Sequence, residues 1–131
     1  MTLFLAVDGD KVGSRLEALI VAEDLERAAS FSQDVVNAIR KMTELIEQKH
    51  GIIVFAGGDN LLAKFDGVES PELAIDELGY ILMRIFLEAS NCTMSIGIGY
   101  RPRDAFLALK LAKGSDKTKL VHLRKDDTIS I

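Results

Sequence analysis

Five short apolar runs of strand length, bounded by glycine and acidic turns, are interspersed with four segments of helical periodicity, and this combination predicts an α+β fold. The clearest run is Ile52 to Phe65, two apolar stretches flanking Gly57-Gly58-Asp59-Asn60, the pattern of a β-hairpin with a carboxylate at its tip. Taken alone, such a hairpin is a structural turn with a solvated acid. A second acidic turn, Val7-Asp8-Gly9-Asp10, closes the first apolar run and gives the hairpin a potential partner.

Taken in order, Leu3–Val7 is continuously apolar, as expected of a central strand buried on both faces. The turn Asp8-Gly9-Asp10-Lys11-Val12-Gly13 follows it. Leu16, Leu19 and Ile20 then place a short helix over 14–22. Asp24 is suited to cap a longer helix running to Lys49, with Leu25, Ala28, Ala29, Val35, Val36, Ile39, Met42, Leu45 and Ile46 as its apolar stripe. Gly51 is expected to stop that helix.

The hairpin strands are expected over 52–56 and 61–65. After them, Ser70-Pro71 has the pairing of a capping hydroxyl and a first-turn proline. The helix it opens carries Leu73, Ala74, Leu78, Ile81, Leu82, Ile85 and Phe86 on its buried stripe. A strand over 92–100 contains the alternating Gly97 and Gly99, which predict close approach of another backbone or a ligand. A helix from Arg103 to about Ala112 and an edge strand over 119–124 complete the chain. The order β-α-β-β-α-β with an added C-terminal helix and strand is that of a ferredoxin-like palm domain. In that topology the first strand runs beside the second hairpin strand, so Asp8 and Asp59 share one rim although about fifty residues separate them.

Composition fits a single domain over residues 1–131. Apolar residues make up 48% and charged residues 27%, enough apolar material for a folded core. No apolar run reaches the ~18 residues of a membrane span, and Met1–Val7 lacks the basic leader of a signal peptide. The single cysteine, Cys92, cannot form an internal disulfide, which suits a reducing cytoplasm. A net charge of −4 argues against long nucleic acid as a partner, but leaves nucleotides open.

Two converging carboxylates repel unless cations neutralise them, and hard divalent ions are the usual solution. Asp8 and Asp59 are therefore the candidate catalytic, metal-binding acids, with the Gly9 carbonyl as a backbone ligand for Mg²⁺ or Mn²⁺ in a two-metal site. Asp10 is a weaker candidate, since alternation turns it away from Gly9. Gly9, Asp10 and Lys11 form a glycine-containing turn into a helix, a natural phosphate cradle. Gly57, Gly58 and Asn60 surround the hairpin acid and are further candidates for nucleotide binding. Lys113 and Lys117 lie four residues apart after the fourth helix, suited either to triphosphate or to a solvated helix end. His50, His122 and Cys92 have no metal-ligand spacing or neighbouring base.

The run Val7-Asp8-Gly9-Asp10-Lys11-Val12-Gly13 with Val54-Phe55-Ala56-Gly57-Gly58-Asp59-Asn60 resembles the palm polymerase domain of the type III CRISPR large subunit. Thr93–Gly99 and Ala108–Lys113 resemble the matching parts of GGDEF diguanylate cyclases. A free-standing palm of this length is most similar to the minimal CRISPR polymerase group, over nearly the whole chain. The resemblance implies a cytoplasmic, metal-dependent nucleotidyltransferase. It would convert ATP, or another nucleoside triphosphate, into a cyclic di- or oligonucleotide and pyrophosphate for antiphage signalling to a responsive effector. It also implies metal-binding roles for Asp8 and Asp59 and phosphate contacts for Lys113 and Lys117. Making a cyclic product from palms that each hold one triphosphate implies a homodimer.

Asn60 departs from the pattern, because the relatives carry a second acid there. An amide supplies no charge to a second metal. The rival expectation is a nucleotide-binding sensor with little or no turnover. A palm-like triphosphate hydrolase and a purely structural domain are further alternatives.

Overall fold

β1 (Leu3–Gly9) is the centre of a five-stranded sheet, and its composition explains why. Leu3, Leu5 and Val7 are buried on one face and Ala6 on the other, so both faces of the strand need cover. The computed structural model describes residues 2–67 and 71–124, with the backbone alone at 71–73. After β1 come α1 (Val12–Val21), α2 (Leu25–Gln48), β2 (Ile52–Gly57), β3 (Asn60–Phe65), α3 (Pro71–Ser90), β4 (Met94–Gly99), α4 (Pro102–Lys113) and β5 (Leu120–His122).

The sheet order is β2-β3-β1-β4-β5. β1 is antiparallel to both β3 and β4, whereas β5 joins β4 in parallel through the α4 crossover. The first four strands thus have the ferredoxin-like arrangement expected of the palm, and α4 with β5 is the C-terminal addition.

The two faces of the sheet are covered unequally. Leu3, Leu5 and Val7 pack with Phe31, Val35 and Met42 of α2 and Leu82 and Phe86 of α3 in the main core. Burial of each such side chain contributes about 1.5–3 kcal/mol. Among the described residues the opposite face carries α4 alone, seated on Ala6 through Ala105 and Leu109, with Phe4 and Leu62 alongside. Helical periodicity located the long helices, but their buried stripes differ in detail. On α2, Leu25 is 67% exposed and Val36 48% exposed, while Phe31 and Ala38 fill the core instead. On α3, Ile75 is buried and Ala74 exposed. The expected Ser70 cap and the Leu73 side chain lie outside the described residues.

Asp24 caps α2 as expected, accepting from the Arg27 amide at 3.2 Å. Gly51 does not supply the left-handed stop. His50 takes that conformation (φ 67°), and the Gly51 amide donates to the Ile46 carbonyl at 2.9 Å. Gly51 is needed for a different reason: a Cβ there would lie 2.6 Å from Ile46 Cγ2 and 2.7 Å from Phe65 Cε1.

Gly97 and Gly99 meet a backbone, that of α4. A Cβ at Gly97 would stand 2.2 Å from both the Ala105 carbonyl oxygen and the Leu109 nitrogen. Among the described residues no helix is long and apolar enough to cross a membrane.

Because helix backbone cannot yield at that contact, Gly97→Ala is expected to destabilise the fold by about 3 kcal/mol. Thermal melting should show a midpoint lower by about 10 °C. An unchanged midpoint would mean that α4 does not rest on Gly97.

Candidate active site

The hairpin turn is two residues long. Gly57 pairs with Asn60, Gly58 takes the left-handed conformation (φ 58°), and Asp59 follows it. The turn is tied to the end of β1 by the Gly9 amide, which donates to the Asp59 carbonyl at 2.9 Å. Asn60 stands opposite Asp8 in the β1–β3 register and is exposed. A Cβ at Gly9 would meet Val12 Cγ2 at 2.8 Å, Phe86 Cζ at 2.9 Å and Asp59 Oδ2 at 3.1 Å. Only glycine lets the hairpin acid come this close to β1.

Topology therefore brings Asp8, Gly9, Asp10 and Asp59 to one rim of the sheet, as their positions in the chain predict. Their electrostatics differ. Partial burial and the negative charge of Asp8 hold the Asp59 carboxyl above its usual value, outweighing its backbone hydrogen bond and Lys113. Burial would raise Asp10 as well, but the Ser95 and Thr93 hydroxyls, Lys119 and Lys113 together hold it below the usual range. Ser95 Oγ and Thr93 Oγ1 each donate to Asp10 at 2.8 Å.

Asp10 thus lies on the side of Asp8, and its oxygens are committed to protein donors. Alternation turns it away from Gly9, as expected, and onto the face of Asp8, because its amide continues the β1–β4 pairing to the Thr93 carbonyl at 2.9 Å. Two hydroxyls and two ammonium groups therefore surround it within the protein.

Lys113, the last residue of α4, places its ammonium 3.1 Å from Asp8 Oδ2, 3.0 Å from the Gly9 carbonyl oxygen and 3.3 Å from Asp10 Oδ1. Burial would lower its pKa, but the hydrogen bond and charge of Asp8, with Asp10, raise it above the usual lysine value. The loop after α4 brings Lys119 to Asp10 Oδ2 at 3.5 Å, whereas Lys117 stays exposed with its amide on Ser115. Lys11 is also exposed, in the left-handed conformation that starts α1 (φ 59°).

Sequence reasoning missed Thr93, Ser95 and Lys119. A signal existed for Ser95: it is a hydroxyl within an otherwise apolar strand, fully buried and opposite Asp8. Beside Asp10 opens a groove of about 480 Å³, lined by Lys11, Ser14, Arg15, Asn91, Cys92 and Thr93. Asn37 lies elsewhere, engaged by Gln33 and Arg40 on the exposed side of α2.

Among the described residues no three carboxylate, histidine or cysteine side chains gather into a metal cage. The donors on the rim are two carboxylates and one carbonyl. This set suits a hard cation that keeps several waters and shares its shell with phosphate. The Lys113 ammonium, touching Asp8 and the Gly9 carbonyl together, demonstrates that a cation is accommodated between those oxygens.

Known proteins agree with this architecture. A structure of the Csm1–Csm4 cassette in complex with cA4 superposes with a TM-score of 0.65 at 20% identity, covering 94% of this chain and 21% of that one. The active GGEEF domain of a diguanylate cyclase from Vibrio cholerae gives 0.63 at 10% identity, covering 95% and 84%. The GGDEF domain of DgcB from Caulobacter crescentus, in complex with c-di-GMP, gives 0.57 at 16% identity, covering 92% and 77%. At these identities the likeness establishes a shared palm fold. A comparison with curated protein sequences finds no match. The profile of the minimal CRISPR polymerase domain matches residues 4–123, nearly the whole described chain, and the protein therefore belongs to the minimal CRISPR polymerase (mCpol) family.

Proposed function

We propose that this chain is a metal-dependent nucleotidyltransferase that joins ATP, or another nucleoside triphosphate, into a cyclic oligonucleotide signal with release of pyrophosphate. The observation that carries this reading is the convergence of Asp8, Asp59 and the Gly9 carbonyl on one rim, with Asp59 held as a poorly compensated acid. Bound Mg²⁺ or Mn²⁺ would supply positive charge and make a coordinated hydroxyl more acidic.

The protein's own groups divide the remaining work. Asp8, Asp59 and the Gly9 carbonyl would hold the cations. Lys113, already against Asp8 and the Gly9 carbonyl, would contact phosphate, and the N-terminus of α1 begins two residues after Asp10. Gly57 and Gly58 have open space around their α-carbons, which leaves the turn accessible to a ligand. In the reaction a ribose hydroxyl oxygen bonds to the α-phosphorus of a second nucleotide, the bond to the β-phosphate oxygen breaks, pyrophosphate leaves, and the hydroxyl proton passes to solvent.

A cyclic product needs two such rims facing each other, so the working form is a homodimer. Ile52, Val54 and Phe55 on edge strand β2 and Phe106 and Leu111 on α4 are each more than half exposed, which supplies apolar surface for a second copy. Antiphage signalling to a cyclic-nucleotide-responsive effector belongs to the same proposal, with the family as its support.

A second reading is favoured by Asn60, which brings an uncharged amide to the position opposite Asp8. There the chain would be a nucleotide sensor with a triphosphate pocket and little turnover.

Incubation with ATP and Mg²⁺ or Mn²⁺ is expected to yield pyrophosphate and a cyclic product by mass spectrometry, from a species that light scattering identifies as a dimer. Asp59→Ala should lower the rate at least about 100-fold. Absence of product from both proteins refutes catalysis. Asn60→Asp separates the two readings: turnover only in this variant favours the sensor, whereas activity already in the unmodified chain excludes it.

The raised Asp59 carboxyl also has a stability consequence. The folded state keeps this proton to higher pH than the unfolded state, so the group's contribution is favourable at low pH. That contribution is lost as pH rises through the usual carboxylate value to the raised one. In the presence of EDTA, Asp59→Asn is therefore expected to melt about 2 °C higher than the unmodified chain at pH 7, with the difference fading toward pH 3. A lower melting point at pH 7 would contradict the uncompensated charge.

A further inference from the structure

The Lys113 ammonium occupies the place that a cation bound by Asp8 and the Gly9 carbonyl would take. It lies 3.1 Å from the one and 3.0 Å from the other, and Asp10 Oδ1 holds it from a third side at 3.3 Å. These are not the contacts of a solvated helix end. The side chain is 29% exposed and turned onto the sheet rim, where it neutralises the oxygens that otherwise call for a divalent ion.

A free divalent cation entering this site would have to displace an ammonium that remains tethered to α4 and held to Asp10. The two positive charges would then lie within a few ångströms of one another. A cation carried by a polyphosphate meets no such obstacle. Its phosphate oxygens offer the ammonium new partners as Asp8 and Gly9 are taken over. Asp10 holds its own position throughout, because Thr93, Ser95 and Lys119 bind it independently of Lys113.

We propose that Lys113 acts as a tethered placeholder: it closes the rim to free divalent cations and opens it to a cation–polyphosphate complex, so the two ligands enter as one unit. This rests on the reading of the rim as a metal–nucleotide site, and it adds the form in which the ligand is accepted. Lys113 is then a positioning residue before binding and a phosphate partner after it.

The test is direct binding of Mn²⁺ to the full chain, read by equilibrium dialysis as metal retained with the protein at matched free Mn²⁺, with and without an α,β-methylene analogue of ATP. The unmodified protein is expected to bind Mn²⁺ at least about tenfold more tightly with the analogue than without it. Lys113→Met should bind free Mn²⁺ at least about tenfold more tightly than the unmodified chain, and adding Asp8→Asn should abolish that gain. Lys113→Gln carries the same expectation should the methionine variant not fold.

Lys119→Met is the control for net charge, since it removes a neighbouring cation that touches Asp10 but neither Asp8 nor Gly9. An equal gain in Lys119→Met, or none in Lys113→Met, overturns the placeholder. If the unmodified chain still takes up Mn²⁺ with the analogue in that case, the metal–nucleotide site itself stands. Absence of Mn²⁺ uptake by every form, with or without the analogue, overturns both.

Discussion

The contact between the backbone of α4 and the two glycines of β4 determines what the rest of this molecule can do. Gly97 leaves the Ala105 carbonyl and the Leu109 amide 2.2 Å from where a Cβ would stand, so the helix lies directly on the sheet. At that depth its last residue, Lys113, reaches the carbonyl of Gly9 on the neighbouring strand. A helix held off by even one methyl group would carry the ammonium away from the rim. Glycines at the middle of a strand normally weaken it; here that local loss is offset by helix packing, and the same packing sets the distance from Lys113 to the acids.

The rim divides its carboxylates into two kinds. Asp10 has two hydroxyls and two ammonium groups and is stable as an anion within the protein. Asp59 has Asp8 beside it and insufficient compensation, so its charge is unfavourable until something cationic arrives. Asp8 stands between them, shared with Lys113. A fold designed for stability alone would not leave Asp59 on this turn. Its presence, on a glycine hairpin bonded to β1, is the ground on which the rim is proposed as a ligand site.

Much of the fold was legible in the chain because its signals are local. Apolar runs and periodicity located the nine elements of the described residues, and the hairpin turn follows from Gly58. Other features were not legible because they depend on what comes to lie nearby. The stripe of α2 includes Phe31 and leaves Leu25 and Val36 in solvent, since only the sheet decides which part of a broad apolar face is covered. The end of the same helix also misleads. His50 adopts the left-handed conformation, while Gly51 is required because Ile46 and Phe65 crowd its α-carbon.

For the site, the amino-acid order by itself determined that two acidic turns exist, that each contains glycine, and that βαββαβ topology brings their acids to one rim. Chain order suffices there because strand adjacency follows from connectivity. Only the tertiary structure decided how the charges are partitioned among Asp8, Asp10 and Asp59, and that Lys119 rather than Lys117 stands against Asp10. Burial, hydroxyl donors and ammonium distances set those properties. Each involves residues such as Thr93, Ser95 and Lys113 that lie far along the chain from the acids they bind.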